Sequence, residues 1–499
     1  MAQPELISEL PGNPSYSANL NGTLYFAIGE ELWNSDGTEA GTGFVTDVEE
    51  EITGIQSTGN HLYITTFNNG YNLYLSDGTS SLITLHTGFL NRPGRFAEIN
   101  GTSFFVANSG ELWTSDGTEA GTEPIDGFSS GGFTNFEGYL YFVSGGRIWR
   151  TDGLLPNPEL ILEPEELPIY VGGSESNDLR IEDIIGVINN KLLFTTIHYE
   201  ASVGYGMMNL YSSDGTPANF THIKEIQPLE DAGYFAPFND KIIFTAVVSG
   251  ILNPVWITDG TEEGTLRLLE DVGTDAFVRD IVTAGNKAAL IVETQNYVNI
   301  WLTDGTPQNS HFFQYLNASG SYYRRVASVE SYLFFPDHTM SDFPPGEGIR
   351  YWELWQSNVD EETSVMVSDL TSENYIGTDN LINIDNVLYF STGNSFPVDG
   401  YDLTPRLWKY EQPFLTEVIT SAATRKEAGF SVYPNPFTDK VHLENANGKT
   451  IIITNAMGNI VHEEPTYMGQ INLSSLPEGV YFVHIKGSSS STIKVLKAK

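Results

Sequence analysis

The sequence predicts an all-β chain, a single large β-propeller of nine blades, with eight as the alternative, followed by a small C-terminal β-sandwich. Three observations carry this. The stretch Glu31-Leu32-Trp33-Asn34-Ser35-Asp36-Gly37-Thr38-Glu39-Ala40-Gly41-Thr42 returns almost letter for letter at Glu111 to Thr122. Looser copies place an aromatic residue at 33, 74, 113, 149, 211, 256, 301, 355 and 408, a mean step of about 47 residues, which is the period of a four-stranded blade. No helical periodicity interrupts the units, and helical or leucine-rich solenoids have other periods and signatures.

Each unit parses in the same order. In the first, strand a is read at about Tyr16 to Leu20, strand b at Leu24 to Ile28, strand c at Glu31 to Ser35 and strand d at Phe44 to Val48. Asn21-Gly22 between a and b is a hairpin signal, and it recurs in varied form at Asn60-His61, Asn100-Gly101, Glu137-Gly138, Asn190-Lys191 and Asp385-Asn386. Strand c ends in Asp-Gly-Thr, where glycine reaches positive φ and aspartate accepts hydrogen bonds from the next N–H groups. The eroded copies at Leu354-Trp355 and Leu407-Trp408 lack that ending. Leu6 to Leu10 reads as a d-type strand and is expected to close the ring on the last blade, which removes exposed edges. Two smaller rings divided at 154–180 are the other arrangement.

At 499 residues the chain exceeds one ordinary hydrophobic core, a limit that a repeat array escapes because each unit packs only on its neighbours. It has no cysteine, which excludes disulfides, thiolate metal sites and a cysteine nucleophile. Lysine and arginine total 24 against 64 aspartate and glutamate, a net charge of −40. From Arg425 onward eight basic residues face six acidic ones, so the first 424 residues carry −42. Such a surface repels nucleic acid and anionic membranes and suits cationic or Ca2+-bridged partners. No apolar run reaches transmembrane length. Met1 to Pro4 shows no basic region followed by an apolar run, and the expectation is an exported chain whose leader has been removed.

The repeat resembles the ELWxxDGTxxGT-repeat proteins secreted by Bacteroidetes-type bacteria, over roughly residues 14 to 420. Members are read as propellers, and the repeat implies an architecture without an activity. After Thr420 the pattern changes. A polar linker, 421–428, divides a propeller at 1–420 from a module at 429–499 whose alternating runs at Lys440 to Leu443, Thr450 to Thr454, Gly469 to Leu473, Val480 to Ile485 and Thr492 to Leu496 suggest the sandwich. This module resembles the type A C-terminal sorting domain of the type IX secretion system. The matching positions are Tyr433-Pro434-Asn435-Pro436, Gly458, Leu473 to Leu476, Gly479 with Tyr481, and a basic end at Lys494, Lys497 and Lys499. The resemblance implies export by the type IX machinery, then removal of the tail and attachment to surface lipopolysaccharide, or release.

If strands alternate in direction, the a–b and c–d turns share one side of the ring, and the b–c and d–a connections share the other. The insertions at 198–208, 248–254, 336–350, 392–405 and 163–180 all fall on the latter side, where elaborated loops on a rigid scaffold point to function. They contain Tyr199, Tyr205, Asp337, His338, Asp342, Asp399, Tyr401 and Asp402, with Arg406 adjacent. Aromatic faces and carboxylates are what a glycan site, Ca2+-assisted or not, requires. His-Glu-x-x-His, Gly-x-Ser-x-Gly, phosphate-loop and twelve-residue calcium-loop motifs are missing. The expectation is therefore a secreted or surface-attached module that binds a glycan or a surface protein. The alternatives are a polysaccharide lyase or glycoside hydrolase on the same side, and a structural surface component.

Overall fold

The computed structural model describes residues 4–154, 158–167, 179–200, 205–217, 219–226, 231–247, 254–269, 272, 276–294, 298–316, 326–340, 350–367, 378–393, 404–411, 431–433, 437–444, 446, 449–455, 460–477, 479–485 and 493–497. Among these, eight antiparallel sheets of four consecutive strands follow one another at 15–47, 52–89, 94–129, 134–162, 180–226, 231–269, 277–316 and 327–366. They are numbered 1 to 8 here. Sheet 9 joins the two ends of the array: Thr378–Ile384, Val387–Thr392 and Arg406–Tyr410 are completed by Glu5–Glu9, which pairs antiparallel with Arg406–Tyr410. The pairing expected of the N-terminal strand is thus present. Arg406 also forms an ion pair with Glu9 at 3.0 Å across this seam.

Strand a of each sheet packs on strand a of the next, and Ser15–Leu20 of sheet 1 packs on Thr378–Ile384 of sheet 9. Between sheets 3 and 4 the contact runs instead through Glu123–Ser129 and Tyr139–Ser144. The result is a circular, propeller-like array with strand a innermost. Its apolar interior lies between sheets: Tyr25, Ala27 and Leu32 of sheet 1 share a cluster with Ile52, Leu62 and Ile64 of sheet 2. Strand b is accordingly buried on both faces, as in His61–Phe67, where Leu62 through Thr66 are all buried.

The repeated letters are hydrogen-bond requirements of one turn. Asp36 Oδ1 accepts from the Thr38 N–H at 2.9 Å and the Thr38 hydroxyl at 2.7 Å. The Gly41 N–H donates to Thr38 Oγ1 at 3.0 Å, and the Thr42 hydroxyl donates to the Thr38 carbonyl at 2.7 Å. Ser35 Oγ accepts from the Gly37 N–H at 3.1 Å and lies 2.7 Å from Thr42 Oγ1. Gly41 is required because a Cβ there would lie 2.0 Å from Asp36 Oδ1. The opening glutamate is explained as well: the Trp33 indole donates to Glu31 at 2.8 Å. Residues 111–122 repeat each of these bonds.

The turns also join sheet to sheet. The Tyr25 hydroxyl of sheet 1 donates to the Gly78 carbonyl of sheet 2 at 3.2 Å, and Tyr141 of sheet 4 to Gly215 of sheet 5 at 3.0 Å. The Asn100 amide of sheet 3 reaches the Asp152 carbonyl of sheet 4 at 2.9 Å, and Lys287 of sheet 7 reaches Val359 of sheet 8 at 2.7 Å. These bonds place a–b and c–d turns on one side of the array. Residues 431–497 form two further sheets around a separate core that includes Phe437, Leu443, Ile453, Tyr467 and Val483. The run expected at 469–473 narrows to Ile471–Asn472, and the linker at 421–428 lies outside the described residues.

Two outcomes follow. Gly41→Ala is expected to destabilise the chain by about 1–3 kcal/mol through overpacking against Asp36, whereas Gly43→Ala, with nothing within 4 Å of the added atom, is expected to be near neutral in urea unfolding. The Asp36, Asp77, Asp116 and Asp214 carboxyls are held below the ordinary range, chiefly by the hydroxyl and then the N–H of the following threonine. At Asp259 and Asp304 burial opposes ionisation and the threonine bonds outweigh it. Because the folded values lie lower, this contribution is fully present above the unfolded pKa of about 3.9 and is lost as pH falls through the folded values. Urea midpoints should therefore drop steadily below about pH 4, and a flat profile down to pH 2 would contradict the turn's role.

Candidate functional site

Five of the nine expected site residues, Tyr199, Tyr205, Asp337, His338 and Arg406, fall within the described residues. Tyr199 and Tyr205 lie in Lys191–Glu200 and Tyr205–Ser213, where Tyr199 pairs with Gly206 and Glu200 with Tyr205. Asp337 and His338 lie in Tyr332–Met340, opposite Glu353 and Trp352, and Asp337 is buried. Residues 198–200, 205–208 and 336–340, read in sequence as parts of loop insertions, are therefore extensions of hairpins, with continuous backbone pairing supporting the strand conformation. Asp342, Asp399, Tyr401 and Asp402 lie outside the described residues. Arg406 is buried at the seam with Glu9.

The wall of the array's centre is built from strand a, and it carries two features without a repeat letter. The first is a β-bulge near the start of strand a in sheets 1, 2, 3, 5, 6, 7 and 9, for example between Ser15 and Ala18, Gly94 and Ala97, and Asp379 and Ile382. Bulges re-aim side chains, and the residues at them vary from sheet to sheet: Tyr16, Thr53, Arg95, Glu182, Tyr234, Arg279 and Asn380. Tyr16 and Tyr234 are 45 % exposed and Phe277, beside Arg279, 44 %. These bulges sit toward the d–a and b–c side, the side singled out by the insertions.

The second feature is at the opposite end of strand a. The register position two residues before the a–b turn is occupied, in order, by Asn19, Ser57, Glu98, Asn135, Val187, Pro237, Thr283, Ser328 and Asn383. Seven are polar and one, Glu98, is charged. Beside it an open depression of about 450 Å³ lies against sheets 2, 3 and 4, its lining including Phe96, Glu98, Asn100, Phe133 and Asn135. Phe96 is fixed by stacking on Tyr63, ring centres 4.4 Å apart. The Tyr63 hydroxyl bonds Ser103, and burial, opposed by that bond and reinforced by the Glu98 charge, raises its pKa. Glu98 Oε2 lies 3.6 Å from His61 Nδ1. Gly59 makes room for it, since a Cβ there would lie 2.4 Å from the same oxygen. A carboxylate and two amides between aromatic rings can accept and donate to hydroxyls while an apolar ligand face rests on a ring. Aligning the nine units on their a–b turns would have exposed Glu98 as the lone charge in its column. The repeat letters, which lie in strand c, do not point to it.

Among the described residues no group of three or more histidine, aspartate and glutamate side chains could hold a metal ion, so the Ca2+ reading gains no ligand set there. The tail is clearer. Residues 431–498 match the family described as the secretion system C-terminal sorting domain. This stretch is a type IX sorting domain. It marks the chain for export by the type IX secretion system, and the protein is secreted or attached to the cell surface. No helix among the described residues is long and apolar enough to cross a membrane.

Within the sorting domain, Tyr433 ends Ser431–Tyr433, Gly479 opens Gly479–Ile485 and Lys494 lies in Ile493–Lys497. Pro434, Asn435, Pro436 and Gly458 lie outside the described residues. Tyr481 is buried, its hydroxyl donating to the Pro477 carbonyl at 2.8 Å. Lys497, read in sequence as part of a basic end, is buried: its ammonium donates to the Thr438 and Leu473 carbonyls and lies 5.5 Å from the Phe437 ring centre.

No curated protein matches the chain in sequence. Solved structures match weakly. A prolyl endopeptidase structure is 9% identical over 69% of this chain and 55% of its own, with a TM-score of 0.38, so the chain spans about half that relative's length. BamB from Moraxella catarrhalis is 14% identical over 67% of this chain and 97% of its own, with a TM-score of 0.40. PorZ, a surface component of the type IX secretion system of Porphyromonas gingivalis, is 12% identical over 98% of this chain and 82% of its own, with a TM-score of 0.21. At these values the likeness concerns strand arrangement alone.

Proposed function

We propose that the chain, exported by the type IX route, works outside the cell as a nine-bladed propeller at 1–420 that binds a glycan at the wall of its central channel, with the sandwich-like sorting domain at 429–499 as its address. The observation that carries the reading is the cavity beside Glu98. Its volume suits one or two sugar rings, Phe133 offers a face for pyranose C–H groups, and Glu98, Asn100 and Asn135 match hydroxyls. The acidic array favours neutral or amine-bearing glycans over sulfated or uronic ones. The exposed Tyr16 and Tyr234, at the bulge end of strand a, supply a second contact zone for a long polymer.

The test is a glycan array probed with the full chain, with and without Ca2+, followed by Glu98→Gln and Phe133→Ala on any ligand found. Each variant is expected to weaken binding at least tenfold, about 1.4 kcal/mol, with the fold intact by circular dichroism. Unchanged affinity in both would remove the cavity from the account. Product analysis on the same ligand separates binding from turnover: depolymerisation would replace the lectin-like reading with a lyase or hydrolase, and silence on every glycan would move the assignment to a protein partner or a structural role.

A further inference from the structure

The two central strands of the sorting domain's four-stranded sheet are covered on both faces. Alternation along Ile451–Asn455 and Gly479–Ile485 sends Ile451, Ile453, Tyr481 and Val483 into the domain's own core. Ile452, Thr454, Phe482 and His484 point to the other face, Ile452 pairing with His484 and Thr454 with Phe482. In a small domain standing alone that face would meet water. Yet Thr454 is fully buried and Ile452 is 9% exposed. Against this face lies His311–Leu316, the outer strand of sheet 7. The Phe312 ring is 6.2 Å from Phe482 and 6.0 Å from His484, and Tyr315 meets His484 edge-on at 5.0 Å.

Phe312 occupies a position that recurs around the rim. It is paired with Trp301, as Phe44 is with Trp33 in sheet 1 and Leu6 with Trp408 in sheet 9. The same edge-to-face ring geometry holds for Trp33–Phe44 and Trp301–Phe312. At this position Phe44 is 53% and Leu6 43% exposed, Thr84, Leu160, His222, Arg267 and Met366 are half-buried, and Phe312 is fully buried. Full burial here is confined to sheet 7, where Phe312 shares a cluster with Val272, Ala276 and Trp301 and the sorting-domain rings add to the cover.

We propose that the rim of sheet 7 is a docking shelf for the sorting domain, which holds the uncleaved tail against the folded array in one orientation and is uncovered when the tail is removed. Aromatic contact supplies the attraction, and the charge contrast adds to it, since the sorting segment has a slight basic excess while the array is strongly acidic. Burial at the contact also lowers the His484 pKa to about 4, so the imidazole stays neutral, with Nε2 3.2 Å from the Thr454 hydroxyl. The inference is independent of the glycan reading.

The experiment is a pH titration of histidine-labelled full chain by NMR, with His484→Gln identifying the resonance. His484 is expected to titrate near 4, and near the ordinary value of about 6.5 in Phe482→Ala and Tyr315→Ala. Phe482→Ala lies outside both cores and decides alone if Tyr315→Ala fails to fold. As a second measurement, a protease site placed within 421–428 is cut and the product passed over gel filtration. The wild-type tail should stay with the array and the variant tails should separate. An ordinary His484 pKa in the wild type, a low one that neither variant moves, or immediate loss of the wild-type tail would each overturn the docking.

Discussion

The array depends on one closure, the aspartate carboxylate that gathers the hydroxyl and N–H of the threonine two residues on. That closure fixes the path from strand c to strand d, so it fixes where the turn's backbone carbonyls stand. Those carbonyls accept from the neighbouring sheet, as Gly78 does from Tyr25 and Gly215 from Tyr141. A local turn and a long-range contact are thereby the same structure. Sheet 8 shows the constraint outlasting its letters. Without Asp-Gly-Thr, Asn358 Oδ1 accepts from the Asp360 and Glu361 N–H groups, and Ser357 and Ser364 sit 2.7 Å apart, as Ser35 and Thr42 do.

This explains which parts of the fold could be read from residues. The strands of the first unit fall within a residue of their expected bounds because turn chemistry marks both ends of each. The closing pairing of Glu5–Glu9 was legible from its likeness to a d strand. The bulges in strand a were not, since a register shift depends on the partner strand and leaves no residue type behind. The hairpin extensions at 198–200 and 336–340 were hidden for a related reason: polar and aromatic residues fit an extended ribbon as well as a loop. Glu98 leaves no mark on the repeated letters, which stand in the constant strand c, because it belongs to strand a, the strand that varies.

The same division of labour runs through the molecule. Strands b and c are constrained on both faces by neighbouring sheets and vary little in character. Strand a and the outer rim are freer, and there the nine units differ: a lone carboxylate and a cavity at sheet 3, aromatic residues at the bulges of sheets 1 and 6, and a covered aromatic pair at the rim of sheet 7. A repeat that closes on itself supplies rigid, equivalent positions, and one altered unit then creates a site without disturbing the rest. The sorting domain adds an address to this scaffold. Its Lys497 shows that part of the basic end serves the domain's own packing.

The most direct measurement is hydrogen exchange of the full chain with and without a saturating oligosaccharide. Slowed exchange at residues 56–60, 96–100 and 133–136, with the outer strands unchanged, is the result the account predicts. Protection confined to the outer strands or to 394–403 would contradict it.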